Sequence, residues 1–207
     1  MAGMSAQSRP AGSAAHLIRL GTAADLDAAA ATLGAAFADY PFTRHTVAAA
    51  DHVARVTGLQ RLFLEHVGLP CERVWVSDDL AAVAVWMTPT SGEPDLDALA
   101  PRLRELAGDR AAAAAAAEKA MAPHRPTGPA WFLAAVGVVP GRQGEGLGPA
   151  VLAPGLRAAA AEGHPAYLET SLESNVGFYQ GLGFEVTAQV ALPDGGPTTW
   201  AMRKDPA

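Results

Sequence analysis

The chain has 207 residues, half of them hydrophobic and 17% charged, with a formal net charge of −6. That balance suits one domain with a sizeable core, and it excludes wholesale disorder and a nucleic-acid binder working through a basic surface. The one cysteine, Cys71, rules out an internal disulfide and a cysteine-built zinc site. Residues 1–15 are small and polar and predict a disordered tail ahead of a single domain over 16–207. That start has no charge followed by an apolar stretch, and no apolar run nears the roughly 20 residues of a membrane helix. A soluble, cytoplasmic protein is expected. Residues 16–20 (HLIRL) predict a first strand. Thr22 and Asp25 form a T-x-x-D helix start, and Leu26, Ala29, Ala30, Leu33 and Phe37 follow at helical spacing. After the interruption at Pro41, one long helix is predicted over about 43–67. Its buried stripe would be Val53, Val56, Leu59, Leu62, Phe63 and Val67.

Two strands, 73–77 (RVWVS) and 81–87 (AAVAVWM), flank the turn pair Asp78-Asp79. Residues 88–95 read as a loop. The Ala- and Arg-rich stretch 96–121 reads as a solvated helix or helical hairpin broken near Gly108, within an insertion over about 96–126. Residues 129–139 are apolar on both faces, as in a central strand. A Gly-rich turn over 140–148 leads into a helix over 149–162. Then come a strand at 167–171, a short helix at 174–182, and a hairpin of 184–192 with 198–203 around Asp194-Gly195. The fold class expected is α/β (α+β): a mixed, mostly antiparallel central sheet flanked by helices.

The chemistry centres on Gln143-Gly144-Glu145-Gly146-Leu147-Gly148, between a buried strand and a helix. The first amides of a helix have no internal partners, and the helix dipole adds positive charge there. Glycines let a phosphate approach that backbone closely, so a diphosphate is the natural ligand. A P-loop would end in Gly-Lys-Ser/Thr, whereas Gly148 precedes Pro149-Ala150. A dinucleotide fingerprint would be spaced G-x-G-x-x-G, early in the chain. A plain Gly-rich turn stays open on these residues alone.

The loop QGEGLG after an apolar strand resembles the acyl-CoA pyrophosphate loop of the GCN5-related N-acetyltransferases (GNATs). The run Asn175-Val176-Gly177-Phe178-Tyr179-Gln180-Gly181-Leu182-Gly183-Phe184 resembles that superfamily's N-x-x-F-Y-x-x-L-G-F element. Further stretches, 35–41 (AAFADYP), 43–47 (TRHTV), 74–76 (VWV), 82–86 (AVAVW), 122–126 (APHRP) and 130–134 (AWFLA), resemble the puromycin N-acetyltransferases. The likeness runs from about Leu17 to Met202. Pro149 after the loop and Gly177, where the superfamily often has proline, depart from the pattern.

The resemblance implies a GNAT fold and acetyl transfer from acetyl-CoA to the free amino group of puromycin, a route to antibiotic resistance. It implies that Val136, Val138, Arg142, Gln143, Gly144, Gly146, Leu147, Gly148 and Asn175 bind the cofactor. Tyr179 is then the acid for the leaving thiolate, or with Phe178 an aromatic pair packing the short helix on the sheet. Glu169 binds the amine or takes its proton, or is a strand-end carboxylate paired with an arginine. Tyr40 borders the acceptor or assists deprotonation, or is a half-buried turn tyrosine. Trp86 is the expected pocket wall, with a core role as its alternative. No metal is expected, since the six histidines show no ligand spacing. Two other functions stay open: a GNAT acting on another small amine or aminonucleoside, and a non-catalytic acyl-CoA-binding module.

Overall fold

Seven strands form one sheet in the order β1-β2-β3-β4-β5-β7-β6 in the computed structural model, which describes residues 16–90 and 96–206. The strands are β1 (Ile18–Leu20), β2 (Val74–Ser77), β3 (Ala82–Met87), β4 (Trp131–Val138), β5 (Ala166–Thr170), β6 (Glu185–Ala191) and β7 (Thr198–Lys204). Every neighbouring pair is antiparallel except β4 and β5. The expected mixed, mostly antiparallel sheet is therefore present. The expected tail over 1–15 and most of the 88–95 loop lie outside the described residues.

The helices are α1 (Leu26–Phe37), α2 (Pro41–Thr46), α3 (His52–Phe63), α4 (Leu96–Ala107), α5 (Ala111–Met121), α6 (Leu147–Ala161) and α7 (Glu173–Gly181). Asp25 explains the first helical entry. Its carboxylate takes two 2.8 Å bonds from the Arg19 guanidinium and two of 2.9 Å from the Thr22 amide and hydroxyl. The capping box read from T-x-x-D is there.

On one sheet face, Ala29, Ala30 and Leu33 of α1 pack on Val74, Val76, Val83 and Val85. The opposite face carries α6, whose Leu147, Val151 and Leu152 bury against Trp86, Trp131, Leu133 and Leu168. There α6 lies close on the sheet because residue 155 is glycine: a Cβ would collide with the Trp86 indole nitrogen. The insertion forms α4 and α5, broken at Gly108 as the composition predicts. It is not simply solvated, because Ala117 and Met121 of α5 are buried with Tyr167, Leu192 and Ala201.

The long helix expected over 43–67 is instead two helices and a π-helical turn over Leu64–Gly68. Ala48 gives its amide to the Ala107 carbonyl at the end of α4, and Asp51 takes a left-handed conformation. That distant acceptor draws the chain out of helix between α2 and α3. Val53, placed on the buried stripe, is exposed, whereas Val56 and Val67 are buried.

Candidate active site

β4 and β5 pair over only three residues, from Trp131↔Ala166 to Leu133↔Leu168. Beyond Leu133, β4 runs on to Val138 without β5 beside it. At the point of separation Ala134 has no cross-strand partner on either side: β3 pairs Trp86 with Leu133 and Val85 with Ala135. This β-bulge turns Ala134 outward and opens a fork in the sheet.

The Gly-rich loop closes one end of the fork. Gln143, Gly144, Glu145 and Gly146 are all exposed. Gly144 and Gly146 hold φ of 84° and 85°, which only glycine adopts without strain. Gly146 caps α6, and the amides of Gly146, Leu147 and Gly148 have no acceptor among the described residues. Nothing stands where a Cβ of Gly144 would lie. Free amides at a helix start in open space fit the diphosphate of a CoA thioester. Pro149 sits in the first helical turn, where a missing N–H breaks no bond.

The other residues expected at the cofactor take several positions. The Leu147 side chain is core, leaving only its amide for a ligand. Val136 and Val138 are half-buried, packed on the α6 core. Gln143 accepts from the Gly141 amide at 3.1 Å. Arg142 donates to Glu145 at 2.7 Å and to Asp79 at 3.0 Å, and these bonds raise its pKa above the usual range. Asp79, bound to Ser77, the Ala81 amide and Arg142, is lowered to about 2. Asn175 donates to Thr170 Oγ1 at 3.3 Å.

Tyr179 is buried on the α6 face, edge-on to Phe178 and Phe184. Burial first, and the nearby Tyr40 second, push its phenol well above the ordinary tyrosine range. It is therefore a proton holder at neutral pH. Tyr40 comes from the α1–α2 connection. Its hydroxyl lies 3.1 Å from Thr170 Oγ1 and receives the Ser171 amide. Burial raises its pKa, and those hydrogen bonds offset part of that rise. Glu169 accepts from Arg125 Nε at 2.8 Å, from Arg125 Nη2 at 3.2 Å and from the Tyr167 hydroxyl at 3.1 Å. The arginine-paired alternative for Glu169 is thus realised, with its side chain still 16% exposed. Tyr40 and Glu169 lie on the insertion side of β5, and Tyr179 lies across the sheet on the other.

Trp86 does not take the place expected of it. It is fully buried between Trp131 and α6, so it presents no surface to an acceptor. Residue-level reading also missed Arg125, Thr170 and Ser171, although Arg125 stands within the quoted stretch 122–126.

No protein-family model matches the sequence. A solved structure from Corynebacterium glutamicum, described as histone acetyltransferase HPA2 and related acetyltransferase, is similar with a TM-score of 0.71 and 26% identity. The match covers 94% of this chain and 98% of that one. The fold is that of the GCN5-related N-acetyltransferases. The chain is an N-acetyltransferase. Polyamine N-acetyltransferase from Drosophila melanogaster is also similar, at TM-score 0.59 and 16% identity, covering 91% of this chain and 99% of that one. A mosquito arylalkylamine N-acetyltransferase-like protein matches at TM-score 0.59 and 15% identity, with coverage of 91% and 99%. Among the described residues there is no cluster of metal ligands, and no helix is long and apolar enough to cross a membrane.

Proposed function

We propose that this acetyltransferase moves the acetyl group of acetyl-CoA onto the free amino group of puromycin. One observation carries the reading. Two stretches that resemble the puromycin N-acetyltransferases, 35–41 and 122–126, meet at the end of β5, where Tyr40 binds Thr170 and Ser171 and Arg125 binds Glu169. Neither stretch belongs to the phosphate loop, so their convergence shapes the acceptor side.

The loop amides of Gly146, Leu147 and Gly148 hold the diphosphate, helped by Gln143, Gly144 and Asn175. Arg142 reaches it by leaving Asp79 and Glu145. Bound there, acetyl-CoA supplies an activated thioester. Glu169 and Tyr40 hold the amine, and its proton leaves toward them, directly or through water. As the new C–N bond forms, the C–S bond breaks, and the Tyr179 hydroxyl gives its proton to the departing sulfur. Tyr179 then regains a proton from solvent. The acetylated amine no longer attacks peptidyl-tRNA, so the host is protected where acetyl-CoA and ribosomes share the cytoplasm.

Mass spectrometry of puromycin after incubation with protein and acetyl-CoA tests this. A product heavier by one acetyl group is expected, with equimolar thiol release. Thiol release with other amines but not with puromycin would reassign the acceptor. Acetyl-CoA binding without turnover of any amine would make the chain a binding module.

A further inference from the structure

We infer that Arg125 is the positioning residue for Glu169, and that it leaves the carboxylate one open acceptor position, on Oε2, for the amine. The inference rests on the acceptor site proposed above. A carboxylate oxygen has two acceptor positions. On Glu169, Oε1 is filled by Arg125 Nε at 2.8 Å and by the Tyr167 hydroxyl at 3.1 Å. Among the described residues, Oε2 receives only Arg125 Nη2, at 3.2 Å. The planar fork therefore fixes the rotation of the carboxylate as well as its charge.

Arg125 is itself fixed. Nη1 and Nη2 also bind the Glu118 carboxylate of α5, the latter at 3.0 Å, and the guanidinium lies 5.7 Å from the centre of the Phe132 ring. The insertion thereby reaches across to the acceptor strand through one side chain. Two carboxylates against one guanidinium leave this cluster with one net negative charge. It suits an acceptor that arrives as an ammonium and presents N–H groups, and it disfavours amines carrying a carboxylate beside the nitrogen.

The test is steady-state kinetics of Arg125→Ala, Arg125→Lys and Glu118→Gln, using the amine that the wild-type protein acetylates. Arg125→Ala should raise the KM for the amine by about tenfold or more, because only the single Tyr167 bond then holds the carboxylate and its rotation is no longer fixed. The KM for acetyl-CoA should stay within about twofold on the same preparation. Arg125→Lys, which keeps the charge and loses the fork, should fall between. Glu118→Gln keeps both Glu169 bonds and removes one charge of the cluster, so it should raise the amine KM clearly less than Arg125→Lys does. Equal rises in both KM values for Arg125→Lys, or equal effects of Glu118→Gln and Arg125→Lys on the amine KM, would reduce Arg125 to a structural tie and overturn the inference. An Arg125→Ala protein that does not fold leaves those two comparisons to decide. A wild-type protein that acetylates no amine would instead remove the acceptor site and the inference with it.

Discussion

Ser171 gives its backbone N–H to the hydroxyl of Tyr40, 131 residues away in sequence. That bond ties the α1–α2 connection to the end of β5, beside the fork. The same hydroxyl lies 3.1 Å from Thr170 Oγ1, which Asn175 also reaches at 3.3 Å. One phenol thus joins the end of β5 to the first turn of α7. Tyr40→Phe keeps the ring against Phe37 and removes these bonds. We expect kcat/KM for the amine to fall by about tenfold or more, with the KM for acetyl-CoA little changed. Steady-state kinetics with each substrate varied checks this, and an unaltered kcat/KM would remove the hydroxyl from the acceptor side.

Tyr179→Phe deletes the proposed proton donor while leaving the edge-on packing with Phe178 and Phe184. A fall in kcat of about 10²–10⁴ is expected, at nearly constant acetyl-CoA affinity. Because burial raises this phenol, its own ionisation should depress wild-type kcat only above the usual tyrosine value of about 10. An alkaline limb near neutrality that vanishes in Tyr179→Phe would contradict that assignment.

Gly146→Ala forces a side chain into φ 85° at the cap of α6. Strain of about 1–2 kcal/mol should either shift the loop or lower stability. The KM for acetyl-CoA should rise by about tenfold while the amine KM barely moves. Isothermal titration with CoA gives an independent measure, and unchanged CoA affinity would argue against amide binding at this turn.

Gly155→Ala drives a methyl into the Trp86 indole in the centre of the core. Overpacking of this kind costs about 1–3 kcal/mol and should lower Tm by several degrees. Gly177→Ala is the contrast. Nothing lies within 4 Å of a Cβ there, inside α7, so the variant should gain about 0.5–1 kcal/mol. Thermal unfolding of the pair should separate them in opposite directions.

Asp25 is held well below the usual carboxylate range, chiefly by its bonds to Arg19 and then by those from Thr22. A lowered folded pKa stabilises the fold above the unfolded value of about 4 and loses that contribution as pH falls through it. Asp25→Ala should cost about 1–3 kcal/mol at pH 7. It should also show a shallower drop in urea midpoint between pH 5 and pH 3 than the wild type. Parallel profiles would mean that the carboxylate gains nothing from its partners.

Local chemistry carried most of the fold into the sequence. The capping box at Thr22 and Asp25, the break at Gly108 and the Asp194-Gly195 turn, with φ of 56° and 73°, are all realised. What failed was decided at a distance. The helix over 43–67 splits because Ala48 finds Ala107, and His52 then sits within 3.0 Å of the Ala38 and Ala48 carbonyls. Trp86 could not be assigned from the sequence, since a strand residue shows its spacing and not what covers it; a glycine 69 positions later, on α6, decides that. The turn over 143–148 was legible because its glycines, at positive φ ahead of a helix start, show directly in the sequence. Arg125 was not, because its partner Glu169 lies 44 residues further on and no local pattern joins them.

The alanine run of α5 sets a limit on how the acceptor side adapts. Ala113 and Ala117 are buried methyls, one helical turn apart, and Ala117 lies in the cluster with Tyr167 and Ala201. Methyl groups have no rotamers to exchange and no side-chain entropy to surrender. A gap opened on this side can therefore be refilled from the helix only by the flexible Met121, one turn beyond Ala117. If the amine is held here as proposed, further reshaping toward larger amines has to come from Tyr40, Phe42 and the Arg125 fork, or from moving α5 as a whole.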